Sequence, residues 1–341
     1  MRSRYIIVSF LLVILLLGCT EDDKILIQEN FAANLPSPFL TIDFPGDNAF
    51  TQERWDLGKK LFYDNVLSID STLSCASCHK PELSFSDDVK FSKGVKDRDG
   101  VRNAPSLANV AYHPYFTREG GVPTLEQQVL VPLQEHNEFD FNIVLAGERI
   151  AKDSTYIAMS MRAYARVPDY YVITRALANF ERSLISNSSY FDLYHFDAQK
   201  DALSKAQVRG LELFYSEKTN CFKCHSGPNF TNYAFESNGL YDNYSDEGRR
   251  RLTGLDSDEG LFKVASLRNV EVTSPYMHDG SVKTLSDVIE LYNSGGKDHI
   301  NKSAIIRPLN LTAQEKQDLL AFLLSLTDHK FLTDNTFKKV K

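Results

Sequence analysis

The sequence predicts a mainly α-helical protein in which one structural unit occurs twice, with long loops between the helices. Apolar residues recur at helical spacing in several stretches, whereas the alternation typical of strands is sparse. Short blocks of residues appear in the same order in both halves of the chain, which indicates two copies of one unit. Many Gly, Asn and Asp residues between these blocks predict the loops.

The composition bounds the class of protein. The chain has 341 residues, of which 43% are hydrophobic and 24% charged, as in globular proteins large enough for two domains. Its formal charge of −7 argues against nucleic acid as a partner, because the nucleic acid backbone is itself negative.

The N-terminus predicts export and a lipid anchor. Residues 1–19 combine a positively charged start with a short apolar run over 6–17, which is typical of a signal peptide. The run ends in Leu-Leu-Gly-Cys19, which resembles the signal box of bacterial lipoproteins, where the cysteine becomes lipidated. A membrane-anchoring helix is the alternative, but the run is short for a full span. Residues 20–45 are polar with several prolines and are predicted to form a tether.

The first predicted helix covers residues 51–63, where Thr51 is a candidate N-cap and the apolar residues share one side. The same arrangement returns over residues 204–215. In this second copy the positions of Gly58, Leu61 and Phe62 are taken by Gly210, Leu213 and Phe214.

Further blocks support the duplication, because they follow each of these helices in the same order. Ser-Leu-Ala-Asn-Val at 106–110 is answered by Ser-Leu-Arg-Asn-Val at 266–270, Pro-Tyr-Phe at 114–116 by Pro-Tyr-Met at 275–277, and Thr-Leu at 124–125 by Thr-Leu at 284–285. Several ordered matches of this kind predict that the two halves fold alike.

Two more helical stretches complete the predicted units. Residues 170–190 are rich in Leu, Ile, Ala and Phe and close the first unit, with 192–201 as the connection. Residues 312–327 begin with a capping box of Thr312 and Glu315 and have an apolar face. We therefore predict domains over 46–198 and 199–341.

Each predicted unit contains one Cys-x-x-Cys-His motif, made by Cys75, Cys78 and His79 and by Cys221, Cys224 and His225. This spacing is typical of covalent haem c, in which both thiols bind the vinyl groups and the histidine binds the iron. The motifs predict two haem c groups, called here the first and the second haem. Export fits this prediction, because bacteria attach haem c outside the cytoplasm.

Two other readings of the cysteines are weaker. The pairs could form a four-cysteine zinc site, but they are more than a hundred residues apart and zinc would not require the histidines. A thioredoxin-like redox pair would need a βαβ pattern, which is not visible around either motif.

The haem motifs, Arg-Asn-Ala-Pro-Ser-Leu-Ala-Asn at 102–109 and Pro-Tyr-Met-His-Asp-Gly at 275–280 are similar to those of bacterial dihaem cytochrome c peroxidases. That superfamily includes the MauG-type enzymes, which oxidise a protein substrate. The resemblance covers about residues 50–330. It implies two cytochrome c-like haem domains, with a peroxidatic first haem that receives electrons from the second. It also implies that His278 and Arg268 lie near the second haem.

The resemblance also assigns the proton-transfer group. In the family a glutamate moves a proton between the peroxide oxygens, and a glutamine ten positions earlier lines the same pocket. Gln128 and Glu138 have this spacing, with Pro132 between them as in the family. Glu138 as a solvated loop carboxylate is the alternative.

Two departures from the family pattern bear on the mechanism. Where many of these peroxidases carry a histidine that blocks the resting first haem, this chain has Val95, which cannot bind iron. The first haem is therefore expected to be five-coordinate or water-bound even when oxidised. The family's Phe-Trp-Asp-Gly block, whose tryptophan lies between the haems, reads Phe-Thr-Arg-Glu-Gly at 116–120, which leaves the electron route open.

The far side of the second haem has two candidate ligands. The family position falls on Tyr292, where typical peroxidases have methionine and MauG-type enzymes have tyrosine. A tyrosinate would lower the reduction potential, and a methionine would raise it. Met277 is the rival, and the apolar stripe around Tyr292 also allows that neither residue binds the iron.

The resemblance implies one calcium ion between the haems. Its ligands would be the side chain of Asn103 and the backbone carbonyls of Thr273 and Pro275, completed by water. Asn103 as the cap of a turn is the alternative.

Three functions are compatible with these observations. The first is a peroxidase that reduces hydrogen peroxide with electrons from a small cytochrome c, a cupredoxin or a quinol-linked donor. The second is a MauG-like oxidase of a protein or organic substrate, and the third is a non-enzymatic electron carrier. In each case we expect a periplasmic or cell-envelope protein, lipid-anchored to a bacterial membrane such as the outer membrane. Whether it forms a homodimer is left open.

Overall fold

The computed structural model describes residue 39 and residues 41–339. The predicted signal peptide, the lipidation site Cys19 and most of the predicted tether lie outside the described residues. Within the described ranges, no helix combines the length and the apolar composition needed to cross a membrane.

The fold is mainly helical, as predicted, and its strands are two residues long. The first half contains α1 (Gln52–Tyr63), α2 (Cys75–Cys78), α3 (Leu125–Gln128), α4 (Leu130–Gln134), α5 (Ile143–Ile150), α6 (Ser154–Tyr164) and α7 (Tyr170–Arg182). The second half contains α8 (Tyr190–His195), α9 (Lys205–Phe214), α10 (Cys221–Cys224), α11 (Arg250–Thr253), α12 (Leu285–Ser294), α13 (Ala313–Leu324) and α14 (His329–Thr333). Strands β1 (Phe235–Glu236) and β2 (Phe262–Lys263) pair antiparallel.

Three of the predicted helices begin where their capping residues predict. The Thr51 side chain accepts a hydrogen bond from the amide of Arg54 at the start of α1. Ser204 forms a capping box with Gln207 before α9, and Thr312 forms one with Glu315 before α13. These side chains satisfy amides that have no partner within the helix, so each start is encoded locally.

The internal duplication is confirmed by two equivalent helix crossings. Helix α1 packs on α7 at Gly58, where a Cβ atom would lie 1.9 Å from the carbonyl oxygen of Ala176. Helix α9 packs on α13 at Gly210, where a Cβ atom would lie 1.9 Å from the carbonyl oxygen of Asp318. Only glycine allows the backbones to approach so closely. The matching glycines in the sequence therefore mark the same crossing in each unit.

An aromatic core lies next to each helix crossing. Phe62 and Phe180 lie 5.1 Å apart between ring centres in the first core. Phe214 and Phe322 lie 5.1 Å apart in the second. All four rings are buried, and each stabilises the fold by about 1.5–3 kcal/mol relative to an exposed ring.

Helix α7 ends at Arg182, earlier than the predicted helical stretch over 170–190. The chain leaves the helix there to bind Asn109, whose side-chain oxygen accepts from the amide of Ser186 at 2.7 Å. The amide of Asn109 donates in turn to the carbonyl oxygen of Leu184 at 2.8 Å. Part of the predicted connection, up to His195, is helical as α8.

Segments near the ends of the two units pack in the core of the other unit. Phe191 of α8 packs in the second core, whereas Phe331 of α14 and Phe337 pack against the first. The rings of Phe331 and Phe337 lie 5.9 Å and 6.5 Å from that of Phe85, which follows the first haem motif. The predicted domain boundary at 198/199 stays a prediction.

Two buried asparagines join the units. Asn109 and Asn269 occupy equivalent positions with φ of 60° and 56°. The Asn109 amide nitrogen donates to Asn229 Oδ1 at 2.8 Å, and that of Asn269 donates to Ser84 Oγ at 3.1 Å. Each of these hydrogen bonds joins one half of the chain to the other. Either half alone would therefore leave a buried asparagine amide without this partner.

Candidate active site

Both motif histidines are oriented by the same contact. His79 Nδ1 lies 2.7 Å from the carbonyl oxygen of Phe85, and His225 Nδ1 lies 3.0 Å from that of Phe230. A carbonyl oxygen can only accept, so each Nδ1 carries the proton and each Nε2 is free to bind iron. Burial lowers the pKa of both imidazoles, which keeps them neutral and able to ligate.

The motif cysteines lie in surroundings that oppose the thiolate form. Burial raises the pKa of Cys78 and of Cys224 to about 11, and it also raises those of Cys75 and Cys221. A zinc site would need thiolates, whereas thioether bonds to haem remove the thiol proton altogether. Across the described part of the chain, no three His, Cys, Asp or Glu side chains gather as a metal cluster. The two pairs therefore do not form a four-cysteine zinc site.

A cavity of about 510 Å³ opens beside the second motif, and its lining fits a group that carries carboxylates. Arg118 and Lys263 both line it, and neither has an ion-pair partner among the described residues. The Lys263 ammonium donates to the carbonyl oxygen of Tyr115 at 2.8 Å, and Arg118 Nε is buried without a hydrogen-bond partner. Unpaired buried cations are costly unless an anion joins them. The two propionates of haem c are such anions, so the residues fit this cofactor.

Glu138 lies beside the first motif. Its charge contributes to the raised pKa of both Cys75 and Cys78, after larger contributions led by burial. The side chain is reached by solvent but is surrounded by protein atoms, as on the wall of a cleft. Desolvation, followed by the negative charge of Glu135, raises the pKa of the Glu138 carboxyl to about 7. Such a group can take up and release a proton near neutral pH.

Backbone contacts hold Glu138 in this place. Its carbonyl oxygen accepts from the amide of Val95 at 2.9 Å, and its amide donates to the carbonyl oxygen of Glu135 at 3.0 Å. Pro132 lies in α4, and its carbonyl oxygen accepts from Phe139 at 3.2 Å, which closes the turn that carries Glu138. The Val95 side chain is fully buried and offers no atom that could bind iron.

Gln128, the predicted partner of Glu138, ends α3 and lines the cavity beside the second motif. Its Oε1 atom is buried there without a hydrogen-bond partner among the described residues. Glu138 is not part of that lining. Their predicted pairing in one pocket stays a prediction.

Tyr292 and Met277 both line the cavity that contains the second motif, and both contact Asn238. The Asn238 amide nitrogen donates to Met277 Sδ at 3.3 Å. Burial raises the pKa of Tyr292 to about 12. A hydrogen bond from Asn238 acts in the opposite direction and lowers this pKa. The Asn238 oxygen accepts from the amide of Leu240 at 3.1 Å, which turns the amide nitrogen toward the two candidate ligands.

The predicted calcium ligands Asn103, Thr273 and Pro275 line the same cavity, but their surroundings do not fit Ca²⁺. Arg118 Nη2 lies 2.8 Å from the backbone oxygen of Asn103 and 3.5 Å from its side-chain oxygen. The Asn103 side chain also donates to the carbonyl oxygen of Val89 at 3.1 Å. A guanidinium at these oxygens repels a divalent cation that would bind there. The predicted calcium site therefore stays a prediction, and this guanidinium does not fit it.

His278 and Arg268, the two residues expected near the second haem, both line the cavity beside the second motif. His278 lines the cavity, and its ring stacks on that of Phe262 at 4.0 Å. Arg268 pairs with Asp192 at 2.8 Å and donates to the carbonyl oxygen of Pro228 at 2.7 Å, in the loop that follows His225.

The model of the di-haem cytochrome c peroxidase family matches residues 52–201. The methylamine utilization protein MauG of Methylophilus methylotrophus is 31% identical to this chain, over 84% of this chain and 86% of that protein. The chain belongs to the di-haem cytochrome c peroxidase family. As a member it carries two haem c groups, and the resemblance expected from the sequence is confirmed.

Other members of the family support the assignment. The cytochrome c551 peroxidase of Nitrosomonas europaea is 30% identical over 80% of this chain and 79% of that protein. The crystal structure of a MauG-like protein associated with microbial copper homeostasis is 33% identical with a TM-score of 0.85, covering 89% of this chain and 98% of that one. The diheme peroxidase BthA of Burkholderia thailandensis shares the fold, with a TM-score of 0.72 at 22% identity over 85% and 90% of the two chains.

Two residues near the haem motifs of this di-haem peroxidase were missed from the sequence. Glu181 of α7 is buried, and its charge is the largest electrostatic contribution to the raised pKa of Cys75, after burial. Burial raises the pKa of Glu181 itself to about 8. The available signal was an acidic residue next to Phe180, on a helix whose other residues are mostly apolar. Asn238 had a weaker one, a polar residue before Gly239 in an irregular segment.

Proposed function

We propose that the protein reduces hydrogen peroxide to water at the first haem, with two electrons that enter from an external donor through the second haem. The single observation that carries this proposal is the position of Glu138 beside the first motif, with a carboxyl pKa near neutrality. An electron carrier would need no proton-transfer group at that place.

Haem c, when bound, supplies the redox-active iron at which peroxide is reduced. His79 would hold that iron through Nε2, since Nδ1 is occupied by the carbonyl oxygen of Phe85. Val95 provides no second protein ligand, which supports an open position for peroxide.

Glu138 would move the proton. As a carboxylate it would accept a proton from one peroxide oxygen and return it to the other, so that the O–O bond breaks and water leaves. Each peroxide would consume two electrons and two protons and yield two waters. The backbone hydrogen bond from Val95 to Glu138 holds the loop that carries this carboxyl group. We assign Gln128 a supporting role through its unpartnered oxygen.

A second candidate function is the oxidation of a protein or organic substrate through the second haem. Tyr292 favours it, because a tyrosinate ligand lowers the potential of iron and stabilises its oxidised states. We propose Tyr292 as the distal ligand of His225's iron, with Met277 as the alternative. The likeness to a MauG-like protein at 33% identity supports the same reading.

We propose a cell-envelope location with a lipid anchor at Cys19, because haem c is attached outside the cytoplasm. The donor would be a small cytochrome c, a cupredoxin or a quinol-linked protein. The chain's charge of −7 supports a donor with a basic surface.

The test is steady-state peroxide turnover by the purified dihaem protein with reduced cytochrome c or an artificial donor. We expect Glu138→Gln to lower kcat by about 10²–10⁴-fold, the range for a lost general acid–base. Glu135→Gln is the matched control, since this exposed carboxylate is three residues away and should retain turnover. Tyr292→Phe should retain peroxide turnover but lose oxidation of a protein substrate. Absence of turnover by the wild type with every donor tested would refute the proposed peroxidase activity.

A further inference from the structure

Arg118 and His278 occupy equivalent positions in the two units. Each lies in a turn that a backbone hydrogen bond closes. The amide of Phe116 donates to the carbonyl oxygen of Val122 at 2.7 Å, and the amide of Tyr276 donates to that of Val282 at 2.7 Å. Each turn has glycine in the left-handed region two residues later, with φ of 78° at Gly120 and 64° at Gly280. The repeat therefore places a cationic side chain in the first unit where the second has an imidazole.

Both turns meet at Asn103. The Arg118 guanidinium donates to its backbone oxygen at 2.8 Å, and the amide of Asn103 donates to the carbonyl oxygen of His278 at 2.9 Å. Asn103 is buried, with 5% of its surface exposed. The guanidinium thus lies at the junction of the two units. Its Nη2 atom is also 3.5 Å from the Asn103 side-chain oxygen, which is one of the three oxygens that the family resemblance assigns to a metal ion.

The charge of Arg118 is not neutralised by a direct ion pair. Three carboxylates act on its charge, namely Asp246, Asp279 and Glu119. Arg102 binds Asp246 and Glu119, and Asp279 accepts from the Tyr241 hydroxyl at 2.7 Å. Arg118 Nε is buried without a partner. Burial, and then repulsion from Arg102, lowers the pKa of Arg118 to about 10, so the side chain is still charged at neutral pH.

Lys263 adds a second cation to the same cavity. The two residues are neighbours, because the amide of Lys263 donates to the carbonyl oxygen of Arg118 at 2.7 Å. Burial, and then the charge of Arg118, lowers the pKa of Lys263 to about 8. Together they supply two positive charges at neutral pH, which is the charge of one calcium ion.

We propose that the Arg118 guanidinium is a built-in cation that takes the place of calcium at the junction of the two units. It holds the 116–120 turn on Asn103 through its Nη2 atom, and it leaves Nε for a carboxylate of bound haem c. The protein therefore does not need calcium. This inference rests on the family membership and not on the proposed peroxide reaction.

The experiment measures the metal content and the haem spectra of the dihaem protein, independently of turnover. We expect wild-type protein to hold less than about 0.1 calcium per chain by mass spectrometry. Its electron paramagnetic resonance spectrum should be the same after EGTA treatment and after addition of CaCl₂. One calcium per chain, whose removal by EGTA changes the spectrum, would overturn the proposal.

Variants test the role of the charge. Arg118→Gln should lower the melting temperature in calcium-free buffer, and CaCl₂ should restore it. Arg118→Lys keeps the charge but not the second nitrogen, so its melting temperature should lie between those of the wild type and Arg118→Gln. Arg251→Gln is the control, since Arg251 is exposed on α11. A folded Arg118→Gln protein with wild-type melting temperature and spectrum in calcium-free buffer would also overturn the proposal. If Arg118→Gln does not fold, the metal content of the wild type decides.

Discussion

The backbone amide of Val95 donates a 2.9 Å hydrogen bond to the carbonyl oxygen of Glu138. Next to it, a Cβ atom on Gly94 would lie 1.9 Å from the carbonyl oxygen of Asn137, so the two loops are in close contact. The residue that replaces a blocking histidine is therefore tied to the loop that carries the proposed acid–base group. This backbone contact links the residue that is predicted to leave the iron open to the loop of the proposed acid–base group.

The resting spin state of the first haem follows from Val95. We expect a high-spin ferric signal from this haem in the electron paramagnetic resonance spectrum of the oxidised protein. The reason is that a single histidine leaves the iron with a weak ligand field. Val95→Leu should preserve the signal. A wholly low-spin spectrum would show that another residue blocks the iron.

Peroxide turnover should depend on pH through Glu138. The carboxylate form accepts the peroxide proton, so kcat/KM should rise with pH and level off above the carboxyl pKa of about 7. Because the charge of Glu135 helps to raise that pKa, Glu135→Gln should move the midpoint to lower pH without lowering the plateau. A flat profile in the wild type would contradict the assignment.

Glu181 should make stability depend on pH. Burial raises the pKa of its carboxyl to about 8, so the folded state holds the proton more tightly than the unfolded state. The stabilisation is present below about pH 4 and is lost as the pH rises through 8. Glu181→Gln should reduce the difference in the free energy of unfolding between pH 5 and pH 9, measured in urea. The exposed Glu212→Gln variant is the control, and equal differences in all three proteins would refute the prediction.

The helix crossings should not tolerate a methyl group. Gly58→Ala and Gly210→Ala each place Cβ 1.9 Å from a backbone oxygen, so the helices must separate. We expect a loss of at least about 1–3 kcal/mol in the free energy of unfolding. Gly46→Ala is the matched control, because no atom lies within 4 Å of its Cβ position. Wild-type stability in either crossing variant would contradict the packing.

Asn238 should tune the distal ligand of the second haem. Its hydrogen bond lowers the pKa of Tyr292, so Asn238→Ala should move formation of the tyrosinate to higher pH, by about one pH unit for one hydrogen bond. A pH titration of the visible spectrum measures this, with the exposed Asn243→Ala variant as control. An unchanged titration would show that Asn238 does not influence the pKa of Tyr292.

The sequence predicted the features that local chemistry determines. The caps at Thr51 and Thr312, the paired glycines and the two haem motifs all depend on residues close to them in the chain. The end of α7 was predicted too late because Asn109, more than seventy residues earlier, determines it. The calcium prediction could not take Arg118 into account, because Arg118 reaches Asn103 only in the folded chain. Contacts between distant segments leave no periodic signal.

The C-terminal residues have a consequence for biosynthesis. Phe331 and Phe337 cover Phe85, whose carbonyl oxygen orients His79, and the Phe337 carbonyl oxygen also accepts from the Tyr63 hydroxyl at 2.6 Å. The first haem motif is thus synthesised long before residues 331–337, which pack behind its histidine. Folding around His79 is complete only when these residues are present, so a chain truncated after α13 should lose support at the haem site farther from the cut.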